Sequence, residues 1–232
     1  MNVRSSDRPA RTQYGGSPRC APDPLLGVAT ALAVANPSEV ATNERERCQS
    51  IGVAISVVDS SEEWPLQFEG VAADLRLALA EVRVRSIEHV GATSVPGLAA
   101  KPIIDIDVIV DSQDVPAAVA ALEAVGYQHR GDLGLSGREV FLAPDDAPAR
   151  HVYVCEVDSI HVRNHLAVRQ VLRQRADLRD RYAAVKRQLT ADDDIAIDEY
   201  VAGKSAILQE ILELAELTES ERAQILRLNN SV

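Results

Sequence analysis

Two aspartates set one residue apart inside an apolar run, Ile103-Ile104-Asp105-Ile106-Asp107-Val108-Ile109-Val110, restrict the possible folds of this chain more than anything else in it. The density of β-branched residues predicts a strand. Side chains alternate along a strand, so Asp105 and Asp107 share one face while Ile104, Ile106 and Val108 line the other. Such a strand is either central, with its acids buried, or at an edge, with its acids in water; the Val and Ile density favours the first. Like charges buried side by side are costly unless something positive compensates them, and a divalent cation is the simplest candidate. Upstream, the chain reads as another strand ending at Val90, a glycine turn at Gly91, and a short polar and helical segment holding Thr93 and Ser94. Glu88–Val110 is therefore the expected active centre.

The overall charge narrows what this centre can serve. With 24 basic and 35 acidic residues the net charge is −11, which argues against a general nucleic-acid binder, since those need a phosphate-neutralising surplus. The 232 residues suit one good-sized domain with a helical extension, and with aromatics at 3% its core must be built from Val, Leu, Ile and Ala. Cys20, Cys48 and Cys155 are too few and too scattered for a disulfide framework or a zinc-ligand spacing. No apolar run reaches the roughly 18 residues of a membrane span. Leu25–Ala35 follows a Pro-rich segment too long for a signal peptide, so a reducing cytoplasm is the expected setting.

In chain order, residues 1–50 read as a disordered or weakly structured leader, weakly helical around Leu25–Ala35. An α/β (α+β) core is expected over 51–160. Ser60 and Glu63 have capping-box spacing ahead of a helix through about Ala80, and Val82–Val90 follows as a strand. Asp114 can cap a helix that stops at Gly126, and Tyr127–Arg130, Arg138–Leu142 and His151–Val157 read as strands. From 161 to 232 the pattern becomes helical and is expected to pack on the core: His161–Arg173, Asp177–Leu189, Ile197–Leu217, and a last helix behind a Thr218/Glu221 capping box.

Several other residues invite chemistry. Lys101 lies between the turn and the acid strand, where it can reach a phosphate or pair with Asp105. His161, His165, Arg169 and Arg173 recur at four-residue steps, a basic stripe that is either an anion-binding wall or a set of salt bridges to neighbouring elements. His151 and Tyr153 share a strand face, in a structural or a site role; Arg138 can contact phosphate or pair with Asp132 or Glu139. Gly203-Lys204-Ser205 is no P-loop, because the upstream glycine is missing and the pattern is helical, and Cys155 reads as core.

EHVGATSVPGLAAKPIIDIDVIV, with Trp64 and Phe68 upstream, GLSGREVF at Gly134–Phe141 and HLAVRQVLR at His165–Arg173, resembles the GrpB family, a branch of the polymerase-beta-like nucleotidyltransferase superfamily. The resemblance spans about Val57–Ala215 and implies a nucleotidyltransferase-like mixed sheet with flanking helices and a C-terminal helical region closing the site. It also implies Mg²⁺-dependent nucleotidyl transfer from a nucleoside triphosphate to an unknown acceptor, with Asp105 and Asp107 bridging two Mg²⁺ ions as catalytic and metal-binding residues. Gly91 would bring backbone N–H groups to phosphate beside the hydroxyls of Thr93 and Ser94, and Lys101, His165 and Arg169 would complete the nucleotide contacts. Three positions depart from the pattern: Ala92 stands where Gly or Ser is usual, no third carboxylate is plain on a neighbouring strand, and His151-Val152-Tyr153 replaces a His-hydrophobe-His motif. Glu156 alternates onto the face opposite His151 and Tyr153. These departures support an alternative: a catalytically weak nucleotide-binding or accessory module, like the GrpB-like domain found fused to dephospho-coenzyme A kinase.

Overall fold

A computed structural model describes residues 56–191, 195 and 197–230. The expected leader over 1–50, and the start of order assigned to Ile51, lie outside the described residues. The elements run α1 (Glu63–Ala78), β1 (Val84–Val90), a 3₁₀ turn (Ala92–Ser94), β2 (Ile104–Val110), a second 3₁₀ turn (Ser112–Asp114), α2 (Val115–Ala124), β3 (Gln128–His129), β4 (Arg138–Leu142) and β5 (Arg150–Glu156). Helices then follow one another: α3 (Ile160–Gln174), α4 (Ala176–Leu189), α5 (Ile197–Gly203), α6 (Ser205–Glu213) and α7 (Glu219–Asn230).

The strands form one mixed five-stranded sheet in the order β1-β2-β5-β4-β3. Only β2 and β5 run parallel; the other three pairs are antiparallel. The acid-bearing β2 is thus an interior strand, and all seven of its residues are buried. Its register sets Glu88 of β1 opposite Asp107, and on the other side sets His151 opposite Asp105 and Tyr153 opposite Asp107. Directly paired residues project to the same face, so Glu88, Asp105, Asp107, His151 and Tyr153 all lie on one side of the sheet. Glu156 pairs with Val110 and falls on the other side, as its alternation predicts.

The two faces are packed differently. Ile104, Ile106, Val108 and Val110 form a core with Val152, Val154 and Phe141, covered by Trp64, Phe68, Val71 and Leu75 of α1 and by Ala118 and Leu122 of α2. Each large apolar side chain buried there contributes about 2 kcal/mol by leaving water. On the opposite face, Ile109, Val140, Tyr153 and Cys155 pack with Val162 near the start of α3. Val171 and Leu172 at the other end of α3, Leu178 and Tyr182 of α4, and Ile207 and Ile211 of α6 join the main core, so the helical region and the sheet share one apolar interior.

Local signals hold where nothing distant competes. Thr218 N donates to Glu221 Oε2 at 2.7 Å and Glu221 N to Thr218 Oγ1 at 3.3 Å, a reciprocal capping box. Ser60 does not cap α1: its hydroxyl accepts the Gly97 amide at 3.0 Å, and Ser61 takes the Glu63 amide instead. Nor does the Asp114 side chain cap α2; it accepts Arg83 Nη2 at 3.2 Å. The single helix expected over Ile197–Leu217 breaks into α5 and α6 at Lys204. Glycine is a weak helix former, and Gly203 packs so tightly on Leu189 that any Cβ there would collide with the leucine side chain.

Candidate active site

Each acid of β2 is held by a histidine. Asp105 Oδ1 lies 2.9 Å from His151 Nδ1, and Asp107 Oδ2 lies 2.7 Å from His165 Nδ1. A carboxylate only accepts, so the hydrogen-bond network assigns a proton to each Nδ1. His151 reaches Asp105 from the adjacent strand, whereas His165 descends from α3 onto Asp107. Asp105 is 3% and Asp107 0% exposed, so these donors stand in for the hydrogen bonds to water that burial removes. Asp107 Oδ1 and His165 Nε2 make no hydrogen bond, and neither do the guanidinium nitrogens of the fully buried Arg138. The Arg138 guanidinium rests over the Tyr153 ring at 5.0 Å instead of pairing with Asp132 or Glu139.

Gly91 explains the turn. Its φ is +69°, and a Cβ there would strike Asp105 Oδ2, so only glycine lets the backbone lie against the carboxylate. Behind it the loop is braced by its own hydroxyls, which are not left for a ligand. Thr93 Oγ1 donates to the Ile103 carbonyl at 3.0 Å, and Ser94 Oγ donates to the Gly91 carbonyl at 2.7 Å. His89 Nε2 then supplies the proton to Thr93 Oγ1 at 3.0 Å while its ring stacks on Phe68 at 4.8 Å. Burial holds the His89 pKa down to about 4, against an attraction from Asp105, so the ring is neutral.

The basic stripe of α3 serves the same loop and strands. Arg169 Nη1 donates to Glu88 Oε2 at 2.9 Å and to the His89 carbonyl at 2.7 Å; Arg173 donates twice to the Ser94 carbonyl, at 3.1 and 2.6 Å. Of the two sequence alternatives, Arg169 takes the salt bridge, and His165 turns to Asp107. His161 is pushed down to a pKa of about 3, chiefly by burial and then by Arg138, and is neutral. A cavity of ≈ 30 Å³ lies among Gly91, His165, Arg169, Leu172 and Tyr182, room for about one water.

A second group of charges stands nearby, and sequence reasoning passed over most of it. Lys101 places Nζ 4.8 Å from the Tyr200 ring centroid, and Lys204 approaches the same ring at 4.3 Å. Lys186 Nζ lies 4.5 Å from the Tyr182 ring. Burial lowers the pKa of Lys101 to about 8 and of Lys186 to about 7, and drives that of Lys204 well below its ordinary value. The available signal was a repeated Tyr-x-x-x-Lys spacing, Tyr182–Lys186 and Tyr200–Lys204, which stacks ring and ammonium on successive helical turns.

Asp107 Oδ1, buried and without a partner, and the carboxylate-lined cradle at Gly91 suit a hard cation. Mg²⁺ commonly uses one or two carboxylates and takes its remaining ligands from water and substrate phosphate. The donor set therefore fits one Mg²⁺ shared with a phosphate. It is short for an all-protein cage: His151 and Tyr153 occupy the β5 positions facing the acids, and among the described residues no group of three or more His, Cys, Asp or Glu side chains is arranged for a metal.

Known proteins agree on the family. The GrpB protein family matches residues 54–214. A UPF0157 protein of Halalkalibacterium halodurans is 38% identical over 170 residues, covering 71% of this chain and 84% of the relative. The crystal structure of the conserved protein GrpB from Enterococcus faecalis overlaps 68% of this chain and 98% of its own at 35% identity, with a TM-score of 0.60. A dephospho-CoA kinase of Mycolicibacterium paratuberculosis is 29% identical over 177 residues, and the match spans 43% of that protein. On these matches the chain belongs to the GrpB family.

Proposed function

We propose that this chain binds a nucleoside triphosphate as its Mg²⁺ complex and transfers the nucleoside monophosphate to an acceptor hydroxyl. The observation that carries the reading is the contact between the Gly91 backbone and the Asp105 carboxylate, with Asp107 one pleat along and an unpartnered oxygen beside it. Asp105 and Asp107 would hold the ion, which supplies charge neutralisation at the triphosphate and a lowered pKa at the acceptor oxygen. Gly91 and Ala92 would offer backbone N–H groups to phosphate, because the Thr93 and Ser94 hydroxyls already bond the backbone. His165 fixes the Asp107 rotamer through Nδ1, and Arg169 and Arg173 keep the glycine turn against the strand. In the reaction the acceptor hydroxyl gives its proton to solvent, its oxygen bonds the α-phosphorus, the bond from that phosphorus to the α,β-bridging oxygen breaks, and pyrophosphate leaves. The cavity beside Gly91 holds about one water, so on this reading the helices that line it would have to open from the turn to admit substrate. Among the described residues no helix is long and apolar enough to cross a membrane. Incubation with Mg²⁺, labelled nucleoside triphosphates and cell extract tests the proposal: label should pass to an acceptor and vanish in the Asp105→Asn, Asp107→Asn double variant. No transfer from any nucleotide sinks it.

A second reading has its own support. His151 stands where a third acid would face Asp105, and a relative bears the name dephospho-CoA kinase. On that reading the chain is an accessory module that binds nucleotide without turnover. Calorimetry showing nucleotide binding, with no label transferred, selects it.

A further inference from the structure

Helix α1 carries two apolar faces half a turn apart. Trp64, Phe68, Val71, Ala72 and Leu75 point into the core. Leu66, Gly70, Ala73 and Leu77 fall within about 60° of one another on the opposite side, because an α-helix advances about 100° per residue. Leu66 is 73% and Leu77 77% exposed, the most open of the large apolar side chains among the described residues. A helix with a single apolar partner presents polar residues to water, so this outer stripe is out of place. Gly70 is equally so. Glycine weakens a helix interior relative to alanine, and a Cβ built at Gly70 would meet nothing within 4 Å, so the described residues give no packing reason for it.

The stripe is symmetrical about its midpoint, with Leu66 and Leu77 as the outer pair and Gly70 and Ala73 as the inner pair. A second copy turned end for end about a two-fold axis through that point lays Leu66 on the partner's Leu77 and Gly70 on the partner's Ala73, each contact being made twice. The small inner residues let the two helix axes approach to about 8 Å, and the leucines close each end. Charge fits the same axis. Glu69 and Arg76 share one flank of the stripe, 3.8 Å apart, with side chains 64% and 55% exposed. An antiparallel copy brings the partner's Arg76 within one helical turn of Glu69, so each acid gains a second cation. The other flank holds Glu63 and Asp74, and each chain carries a net −11, so repulsion opposes the contact until salt screens it.

We propose that the outer stripe of α1 docks a second copy of this chain, antiparallel across a two-fold axis. It lies on the side of α1 away from the sheet, and it stands or falls independently of the nucleotide reading. One helix pair is smaller than a standard protein interface, so the dimer is reversible.

Sedimentation of the full chain across a concentration series tests this. The average mass should climb toward twice that of one chain, and at lower concentration as salt is raised. Leu77→Gln should weaken association at least tenfold and leave the melting temperature of the dilute protein unchanged, because this leucine is mostly in water. Gly70→Gln should weaken it as much while raising that melting temperature, since glutamine favours the helix but blocks the close approach. Cross-linking reads the register in a background where Cys20 and Cys48 are replaced by serine and the buried Cys155 is kept. Leu66→Cys and Leu77→Cys in one chain should give a disulfide-linked dimer on mild oxidation. Neither change alone should do so, because like positions of the two copies lie about 16 Å apart along the axis. A mass that stays at one chain throughout, a dimer untouched by both glutamine variants, or cross-linking by either cysteine alone overturns the proposal. A monomer that Leu77→Gln destabilises overturns it too, and assigns the stripe to another segment of the same chain.

Discussion

The acids of β2 and the lysines beside Tyr182 and Tyr200 are both buried charges, and they are stabilised in opposite ways. Asp105 and Asp107 each receive a histidine N–H within 3 Å. Lys101, Lys186 and Lys204 face aromatic rings and one another. The first arrangement gives each acid a donor within the fold, while one oxygen of Asp107, His165 Nε2 and the Arg138 guanidinium make no hydrogen bond. In the second, Lys186 Nζ has no hydrogen-bond partner and rests on the Tyr182 ring face. Buried charge is thus met by hydrogen-bond donors at the acids and by aromatic ring faces at the lysines.

That contrast can be broken from either side. The largest effect is expected at His165. Alanine there leaves Asp107, fully buried, without its donor, and should cost about 3–5 kcal/mol in urea unfolding at neutral pH. A loss near zero would mean that Asp107 needs no partner, and the distinction between the two clusters would collapse.

On the lysine side the prediction concerns pH. Lys186 has a folded pKa of about 7 against an ordinary 10.5. Between those values the unfolded chain holds a proton that the folded chain has released, so stability should rise as pH increases from about 7 towards 10. The gain is on the order of a few kcal/mol, and Lys204 acts in the same direction. Chemical denaturation at a series of pH values checks it, and the slope should shrink in Lys186→Met. A flat profile in wild type would show that an anion or water already serves these groups.

The smallest effect belongs to the brace at the acid end. Arg173→Ala removes two donors from the Ser94 carbonyl and should cost about 1–2 kcal/mol, since Arg173 is partly exposed and water can replace it. A loss as large as that of His165→Ala would make the loop, and not the acid pair, the critical part of this end.

Much of the acid end was legible because it rests on short-range rules. Strand alternation placed Asp105, Asp107, His151 and Tyr153 on one face, and the register confirmed it. Gly91 was readable as a turn that excludes a side chain, though not as a glycine pressed against Asp105 itself. Thr93 and Ser94 misled: a hydroxyl beside a glycine turn reads the same whether it faces a phosphate or the Ile103 carbonyl. The lysines were invisible as a cluster. Helical periodicity pairs Tyr182 with Lys186 and Tyr200 with Lys204, but the convergence of these pairs with Lys101 depends on how α4 and α5 fold back on the sheet.

What residue order settled, then, was every feature with a local cause: the central acid strand, its two unlike faces, the capping box at Thr218 and the run of helices after β5. Competition between distant partners settled the rest. Ser60 bonded Gly97 in place of its own helix, Arg169 bonded Glu88, and three lysines far apart in the chain came to share two tyrosines. Polar side chains take whichever partner the packed core brings within about 3 Å, and that choice is made only when helices and sheet have closed on one another.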